Sequence, residues 1–355
     1  MGAYKDKSKG TWMAKFSYVD WQGKNRWTTK RGFATKREAL EYEMNFKLAK
    51  AGNVEMSFAS FIARYRSEVY PRIKLSTQTT KDNIIETHIL PFFGNKKIDE
   101  ITTIDVIMWQ NNLLAYRDAN GKAFSRSYLK TIHNQLSALL NYARKHYGLK
   151  ENVAEIVGNM GTDKEVEIDF WTREEYDIFI EEAKAYPEYY YAFQVLYWTG
   201  IREGELLALT PADINLEKAT ITINKTYQII KGKEYITDPK TRKSNRTVSI
   251  PAFLVDELRD YMGMIYDIQD TDRLFMLSKN SLLRKLKNIA KKAGVKPIRV
   301  HDLRHSHISL LIELGFSVVA IGNRVGHESS VITFRYAHMF PTTQTEMAEK
   351  LNELK

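Results

Sequence analysis

The sequence predicts a multidomain protein: a small α+β module of a three-stranded sheet plus a helix, an all-α domain, and a mixed, mainly α C-terminal domain carrying a small antiparallel sheet. Three observations lead there. At 355 residues the chain has room for two or three domains. Its hydrophobic periodicity changes from strand-like alternation over Thr11–Asp20 to helical spacing between Ser57 and Tyr147, then to a mixture of both. Between the last two regimes Gly158–Asp169 has no periodicity and reads as a linker. The expected divisions are 1–54, 55–157, the linker 158–169, and 170–355.

In the first module Trp12, Ala14, Phe16 and Tyr18 alternate with Met13, Lys15, Ser17 and Val19, as in a half-buried strand. A turn at Trp21–Asn25 and a return strand at Arg26–Arg31 follow. Thr35 and Glu38 form a capping pair for a helix over Lys36–Lys50, with Leu40, Met44 and Leu48 along its expected inner face. The second region predicts four helices: Ser57–Tyr70 ending at Pro71, Ser76–Leu90 ending at Pro91, Thr103–Tyr116 and Ser125–Tyr147. Leu129, Ile132, Leu136, Leu139, Leu140 and Ala143 supply a core stripe on the last.

The third region opens with a helix at Thr172–Ala185, which Thr172 and Glu175 can cap, and an aromatic helix at Tyr189–Trp198. Thr199–Leu206, reading TGIREGEL, breaks at its glycine and starts a new helix with Arg202 in the first turn and Glu205 on the same side. Strands are expected at Ala219–Ile230, Glu234–Thr237 and Arg246–Ile250, with Lys240 in the loop between the last two. A helix from Leu303 to Leu314, apolar nearly all round, carries His301, Arg304 and His305 on one side of its first turn, while Asp302 faces away from Arg304. The partner of so buried a guanidinium is either a carboxylate from elsewhere or a phosphate. Near the end, Met347, Leu351 and Leu354 mark a short amphipathic tail helix.

Composition narrows the function. The chain has no cysteine, which excludes disulfides and thiolate metal sites. No apolar run reaches the ~18 residues of a membrane span and no signal peptide opens the chain, so a soluble, cytoplasmic protein is expected. The net charge is +10, and all of it lies in the first two regions: residues 1–55 carry 12 basic and 6 acidic side chains, 56–165 carry 15 and 11, and 166–355 carry 26 of each. Such an imbalance points to a polyanion, nucleic acid before membrane surface. Lys15, Arg26 and Lys30 on the strand pair, and Lys81, Arg126 and Lys130 on the helices, are the candidate DNA contacts. There is no phosphate loop and no carboxylate cluster near the arginines, so neither nucleotide, metal nor other cofactor is expected.

Taken in order, Arg202 and Glu205 in TGIREGEL, Lys240 in its hairpin loop, His301 and Arg304 in HDLRH, His327 in VGHESS and Tyr336 in YAH resemble the catalytic pattern of the tyrosine recombinase (phage integrase) family. The first module is similar to the arm-type DNA-binding domain of integrases from bacteriophages and conjugative transposons, and the helical region to the core-binding domain. The resemblance covers nearly the whole chain and implies a mobile-element recombinase that breaks and rejoins DNA through a 3′-phosphotyrosine. It assigns Tyr336 as nucleophile, Arg202 and Arg304 as phosphate clamps, Lys240 as proton donor, His301 as the assistant of Tyr336, His327 as a phosphate ligand and Glu205 as a support for Arg202 and His301. The implied partners are double-stranded DNA at core and arm attachment sites, three further copies in a homotetramer on DNA, and an excision factor. The implied place is the bacterial nucleoid. A catalytically silent bridging protein, a chromosome-resolution recombinase and a topoisomerase of the same tyrosine chemistry are the alternatives.

Overall fold

The computed structural model describes residues 2–6, 10–19, 25–50, 56–162, 168–238, 244–326 and 352, and the chain forms two compact units, 1–165 and 166–355. Unit one begins with strands β1 (Ala3–Asp6), β2 (Thr11–Val19) and β3 (Asn25–Phe33), antiparallel in the order β1-β2-β3, followed by helix α1 (Lys36–Lys50). Ala14 and Phe16 are buried against Ala39, as the alternation predicts, with Trp12, Phe33, Tyr42 and Phe46 packed around them. The inner face of α1 is therefore Ala39, Tyr42, Glu43 and Phe46, not the expected stripe of Leu40, Met44 and Leu48; Met44 is exposed, and the side chain of Leu48 lies outside the described residues. The sheet selects the face that carries the rings, and the buried Glu43 carboxylate accepts the Gly2 amide hydrogen at 2.9 Å. Glu38 donates its amide hydrogen to Thr35 Oγ1, as expected, but its own carboxylate reaches back to the Ala34 amide rather than to Thr35.

The helical region contains α2 (Phe58–Val69), α3 (Leu75–Ile84), α4 (Leu90–Phe93), α5 (Thr103–Ala115), α6 (Arg126–Tyr147) and the unexpected short α7 (Val153–Val157). Ser57, Thr102, Ser125 and Asn152 cap their helices through side-chain oxygens. Pro91 does not end the second helix. A π turn over Ile85–Ile89 widens the ladder, the Leu90 amide donates to Ile85, and the proline falls in the first turn of α4, where no amide hydrogen is needed. All six expected core residues of α6 are buried. Gly161 passes so close to α6 that a Cβ there would lie 2.2 Å from the Arg126 carbonyl oxygen.

Unit two contains α8 (Arg173–Ala183), α9 (Pro187–Thr199), α10 (Glu203–Leu206), β4 (Ile214–Asn215), β5 (Thr220–Ile223), β6 (Thr226–Ile230), β7 (Lys233–Thr237), β8 (Arg246–Ser249), α11 (Ala252–Met264), α12 (Lys279–Ala293), α13 (Asp302–Glu313) and α14 (Val318–Val325). Thr172 and Glu175 form the expected capping box of α8. The single strand expected over Ala219–Ile230 is two strands in two sheets: β5 lies between β4 and β8, whereas β6 pairs with β7. Lys225 pins the break, its ammonium 2.7 Å from Asp213 and 3.1 Å from Thr210 Oγ1. Lys231 and Gly232, both at positive φ, turn the β6–β7 hairpin in two residues. On α13 Leu303, Ile308 and Ile312 are buried, but Leu314 at its end is exposed, so the apolar girdle is narrower than the sequence suggests. The expected tail helix lies outside the described residues apart from residue 352.

Candidate active site

Gly200 ends α9 in the left-handed region, and a Cβ there would lie 2.5 Å from the His307 ring. Only glycine fits, so α9 can turn sharply and present Arg202 two residues after the turn, at the N-cap of α10 rather than within it. The Arg202 amide donates to Glu205 Oε2 at 2.9 Å, and its guanidinium Nη1 donates to Oε1 at 2.8 Å. Glu205 is buried while Arg202 keeps 37% of its side chain open.

Arg304, almost completely buried on α13, donates Nη1 to the Gly200 carbonyl and Nη2 to the Val325 carbonyl, each at 2.6 Å. Asp302 faces elsewhere, as expected, and binds Arg299 at 2.6 Å. Arg202, far back in the sequence, donates Nη2 to the Gly326 carbonyl at 3.1 Å, next to the carbonyl that Arg304 holds. The two arginines thus meet at the C-terminal end of α14. Helix ends leave carbonyls unsatisfied and slightly negative, which suits guanidinium donors.

A third arginine completes this cap and was missed by the sequence reading. Arg246, at the start of β8, donates Nε to the Arg324 carbonyl at 3.0 Å. It also forks onto Glu205, Nη2 to Oε2 at 2.8 Å and Nη1 to Oε1 at 3.2 Å. Arg246 and Val248 share a face of β8, and Val248 is buried, so strand alternation was the available signal. Among the described residues none of the hydrogen bonds of Glu205 goes to His301; its second partner is Arg246. Arg324 is a fourth guanidinium here, half-buried and donating to His307 Nε2 at 3.0 Å and to the carbonyls of Trp198 and Ser249.

Ionisation follows from this crowding. Burial pushes the Glu205 carboxyl up, but hydrogen bonds from Arg246 and the charges of Arg246 and Arg202 outweigh it and hold its pKa below the usual range. His301 is lowered, first by desolvation and then by Arg304, although the residue as a whole is exposed. His305, whose ring stands edge-on to His301 at 5.0 Å, is lowered to about 4, and the fully enclosed His307 to about 3, both mainly by burial. Burial, then the charge of Arg246, lowers even Arg324. The site is electropositive.

Of the sequence-predicted set the structure brings together Arg202, Glu205 and Arg304, with His301 at the head of α13. Lys240, His327 and Tyr336 lie outside the described residues, although His327 follows Gly326 directly in the chain. Among the described residues no group of acidic and histidine side chains is arranged to hold a metal, and no helix is long and apolar enough to cross a membrane.

The candidate DNA contacts of unit one divide. Register pairs Lys15 with Thr29 and Ser17 with Trp27, placing them on the open face of the sheet with Arg31 and Tyr4. Arg26 and Lys30 pair with Tyr18 and Ala14 and so belong to the α1 side, where the Lys30 ammonium lies 5.6 Å from the Tyr42 ring. Lys81 is half-buried and donates to Gln135 at 3.0 Å, whereas Arg126 is exposed at the start of α6 and Lys130 one turn on is partly so.

Comparison with known proteins gives the same order of parts. Residues 170–342 match the profile of the phage integrase family, residues 57–114 that of the phage integrase N-terminal SAM-like domain, and residues 3–50 that of an arm DNA-binding domain. This chain belongs to the phage integrase family. It is a tyrosine recombinase of the mobile-element integrase kind. The ICEBs1 integrase of Bacillus subtilis is 29% identical over 348 residues, covering 90% of this chain and 91% of that protein. A XerC-like tyrosine recombinase of Caldanaerobacter subterraneus is 28% identical, covering 73% of this chain and 72% of its own length. Among solved structures, the Tn1549 transposon integrase in complex with a circular intermediate DNA aligns over 84% of this chain and 100% of its own at a TM-score of 0.68 and 17% identity. A lambda integrase tetramer bound to a Holliday junction aligns over 93% and 96% at a TM-score of 0.58 and 18% identity. These two likenesses concern the fold.

Proposed function

We propose that this integrase cuts and rejoins duplex DNA at specific attachment sites through a covalent 3′-phosphotyrosine at Tyr336. The observation that carries the reading is the meeting of Arg202 and Arg304 at the end of α14, one partly open and one buried, in a site that also depresses His301. Negative charge grows on the non-bridging phosphate oxygens as the transition state forms, and two fixed guanidiniums stabilise it there more than in the ground state. The Tyr336 oxygen attacks phosphorus and the bond to the 5′-oxygen breaks. His301, neutral at physiological pH, takes the tyrosine proton; the Lys240 ammonium gives a proton to the leaving oxygen; His327 donates a hydrogen bond to the phosphate. The phosphotyrosyl ester keeps the energy of the broken bond, so rejoining needs no nucleotide, and the charge stabilisation asked of a metal elsewhere falls to the arginines.

Double-stranded DNA as substrate and a homotetramer as working assembly are supported by the DNA held in the Tn1549 integrase structure and by the lambda integrase tetramer on its junction. The arm profile over residues 3–50 supports a second DNA site, read by the open sheet face. An excision factor and residence on the bacterial nucleoid are further parts of this proposal. The test is a supercoiled plasmid carrying the DNA that flanks the gene, incubated in EDTA with wild type or Tyr336→Phe and run on denaturing gels. A protein–DNA band linked at the 3′ side, present only with tyrosine, is expected. A band that persists with phenylalanine refutes the nucleophile, and none with wild type despite DNA binding favours a silent bridging protein.

A further inference from the structure

The resemblance assigns no role to Arg246, yet its side chain is only 7% exposed and stands where the two halves of the clamp join. Its fork fills the two oxygens of Glu205 that Arg202 also uses, so a single buried carboxylate is shared by two guanidiniums. Its Nε holds the Arg324 carbonyl, the first of three consecutive carbonyls at the end of α14, and its Nη1 holds the Ser244 carbonyl at 3.0 Å. Ser244 Oγ in turn lies 3.5 Å from Arg202 Nη1.

We propose that Arg246 is a positioning residue for strand cleavage: it fixes the Arg202 guanidinium through Glu205 while it fixes the α14 end that Arg202 and Arg304 both grasp. This deepens the recombinase reading and rests on it. With Arg246 in place, Glu205 is pulled from two sides and gives the Arg202 guanidinium one oxygen, leaving its N–H groups not held by Glu205 or Gly326 for a phosphate. Without it, the buried carboxylate has Arg202 as its remaining guanidinium partner, and the favourable response is a two-point pair that turns Arg202 away from the DNA. Lysine cannot substitute. An ammonium is a point charge and cannot span two carboxylate oxygens and a carbonyl in one plane.

The test measures single-turnover cleavage of a nicked duplex cut from the DNA flanking the gene, using full-length wild type, Arg246→Lys, Arg202→Lys and the double variant. Misplacing a clamp by an ångström costs about 100-fold, so Arg246→Lys should slow cleavage by about that factor with DNA affinity unchanged. If Arg246 acts through Arg202, adding Arg246→Lys to Arg202→Lys should cost only about 2-fold more, because coupled residues are not additive. Arg273→Lys is the control for folding: this arginine is also largely buried and binds the carbonyls of Leu207, Phe275 and Leu277, but does not touch Glu205. Its effect should be the same in both backgrounds. Two results overturn the inference: Arg246→Lys cleaving at the wild-type rate, or its full penalty persisting beside Arg202→Lys. A wild type that forms no covalent complex overturns the recombinase reading and this inference together.

Discussion

In the helical region Lys96 meets the half-buried Asp105 at 2.6 Å, and at the surface Lys97 meets Glu100 at 3.0 Å and Arg144 meets Glu155 at 3.5 Å. In unit two the buried Arg304 and the half-buried Arg324 are held by main-chain carbonyls and an imidazole. A carboxylate cancels the charge it binds. A carbonyl satisfies the hydrogen-bond geometry of a guanidinium and leaves its charge available. The consequence is visible in a neighbour, since Arg304 helps to depress His301. The helical region pairs several of its bases with carboxylates, whereas unit two, with equal numbers of acids and bases, concentrates cations at one place.

The sharpest way to break this contrast is Arg304→Lys. It loses one of two carbonyl bonds and the planar fork, and loss of a transition-state donor of this kind costs about 10³-fold in cleavage. A rate within about 3-fold of wild type in the same single-turnover assay would remove Arg304 from the clamp. Lys97→Ala stands at the other extreme, because exposed pairs are worth about 0–1 kcal/mol, and urea unfolding should scarcely move.

Acid sensitivity should fall between them and come from unit two. His305 and His307 are held neutral in the fold, at about 4 and about 3, against the ordinary 6.5 of the unfolded chain. The unfolded state therefore binds more protons below the ordinary value, and stability is lost as pH falls through that window. For His307 the loss reaches about 2 kcal/mol by about pH 5. His307→Gln, which retains an acceptor for Arg324, should flatten the acid limb of the unfolding curve by about one proton; an unchanged slope would mean that His307 is not enclosed as described.

A modest effect is expected at the open sheet face. Lys15→Ala with Arg31→Ala should lower the salt dependence of arm-site binding by about one unit of slope each, whereas Arg26→Ala with Lys30→Ala should do less. Equal slopes for the two pairs would place DNA on the α1 side instead.

These cases also mark what a reader of the sequence can see. The stripe of α6 and the Thr172–Glu175 box are local, set by spacing and by a cap, and both were legible. Arg202, Glu205 and Arg304 were legible because each stands beside a glycine break or in a buried helix that has no structural use for a charge. Glu205 as a shared carboxylate was not, since Arg246 reaches it across 41 residues through the pairing of β5 with β8. The split of Ala219–Ile230 depends on Lys225 meeting Asp213, and the passage of α3 through Pro91 depends on a π turn, neither of which changes the apolar pattern. The face of α1 was misread because three well-spaced aliphatics competed with the aromatic residues that the sheet demands.

The central claim is that Arg202 and Arg304 serve one developing charge. A nicked duplex bearing a methylphosphonate at the scissile position lacks one charged oxygen, and its single-turnover cleavage by wild type, Arg202→Ala and Arg304→Ala tests that claim directly. On the neutral methylphosphonate the deficits of the two variants should shrink by about 10-fold or more, because one of the two oxygens that carry the charge they stabilise is gone. Deficits of the same size on both substrates would contradict the account.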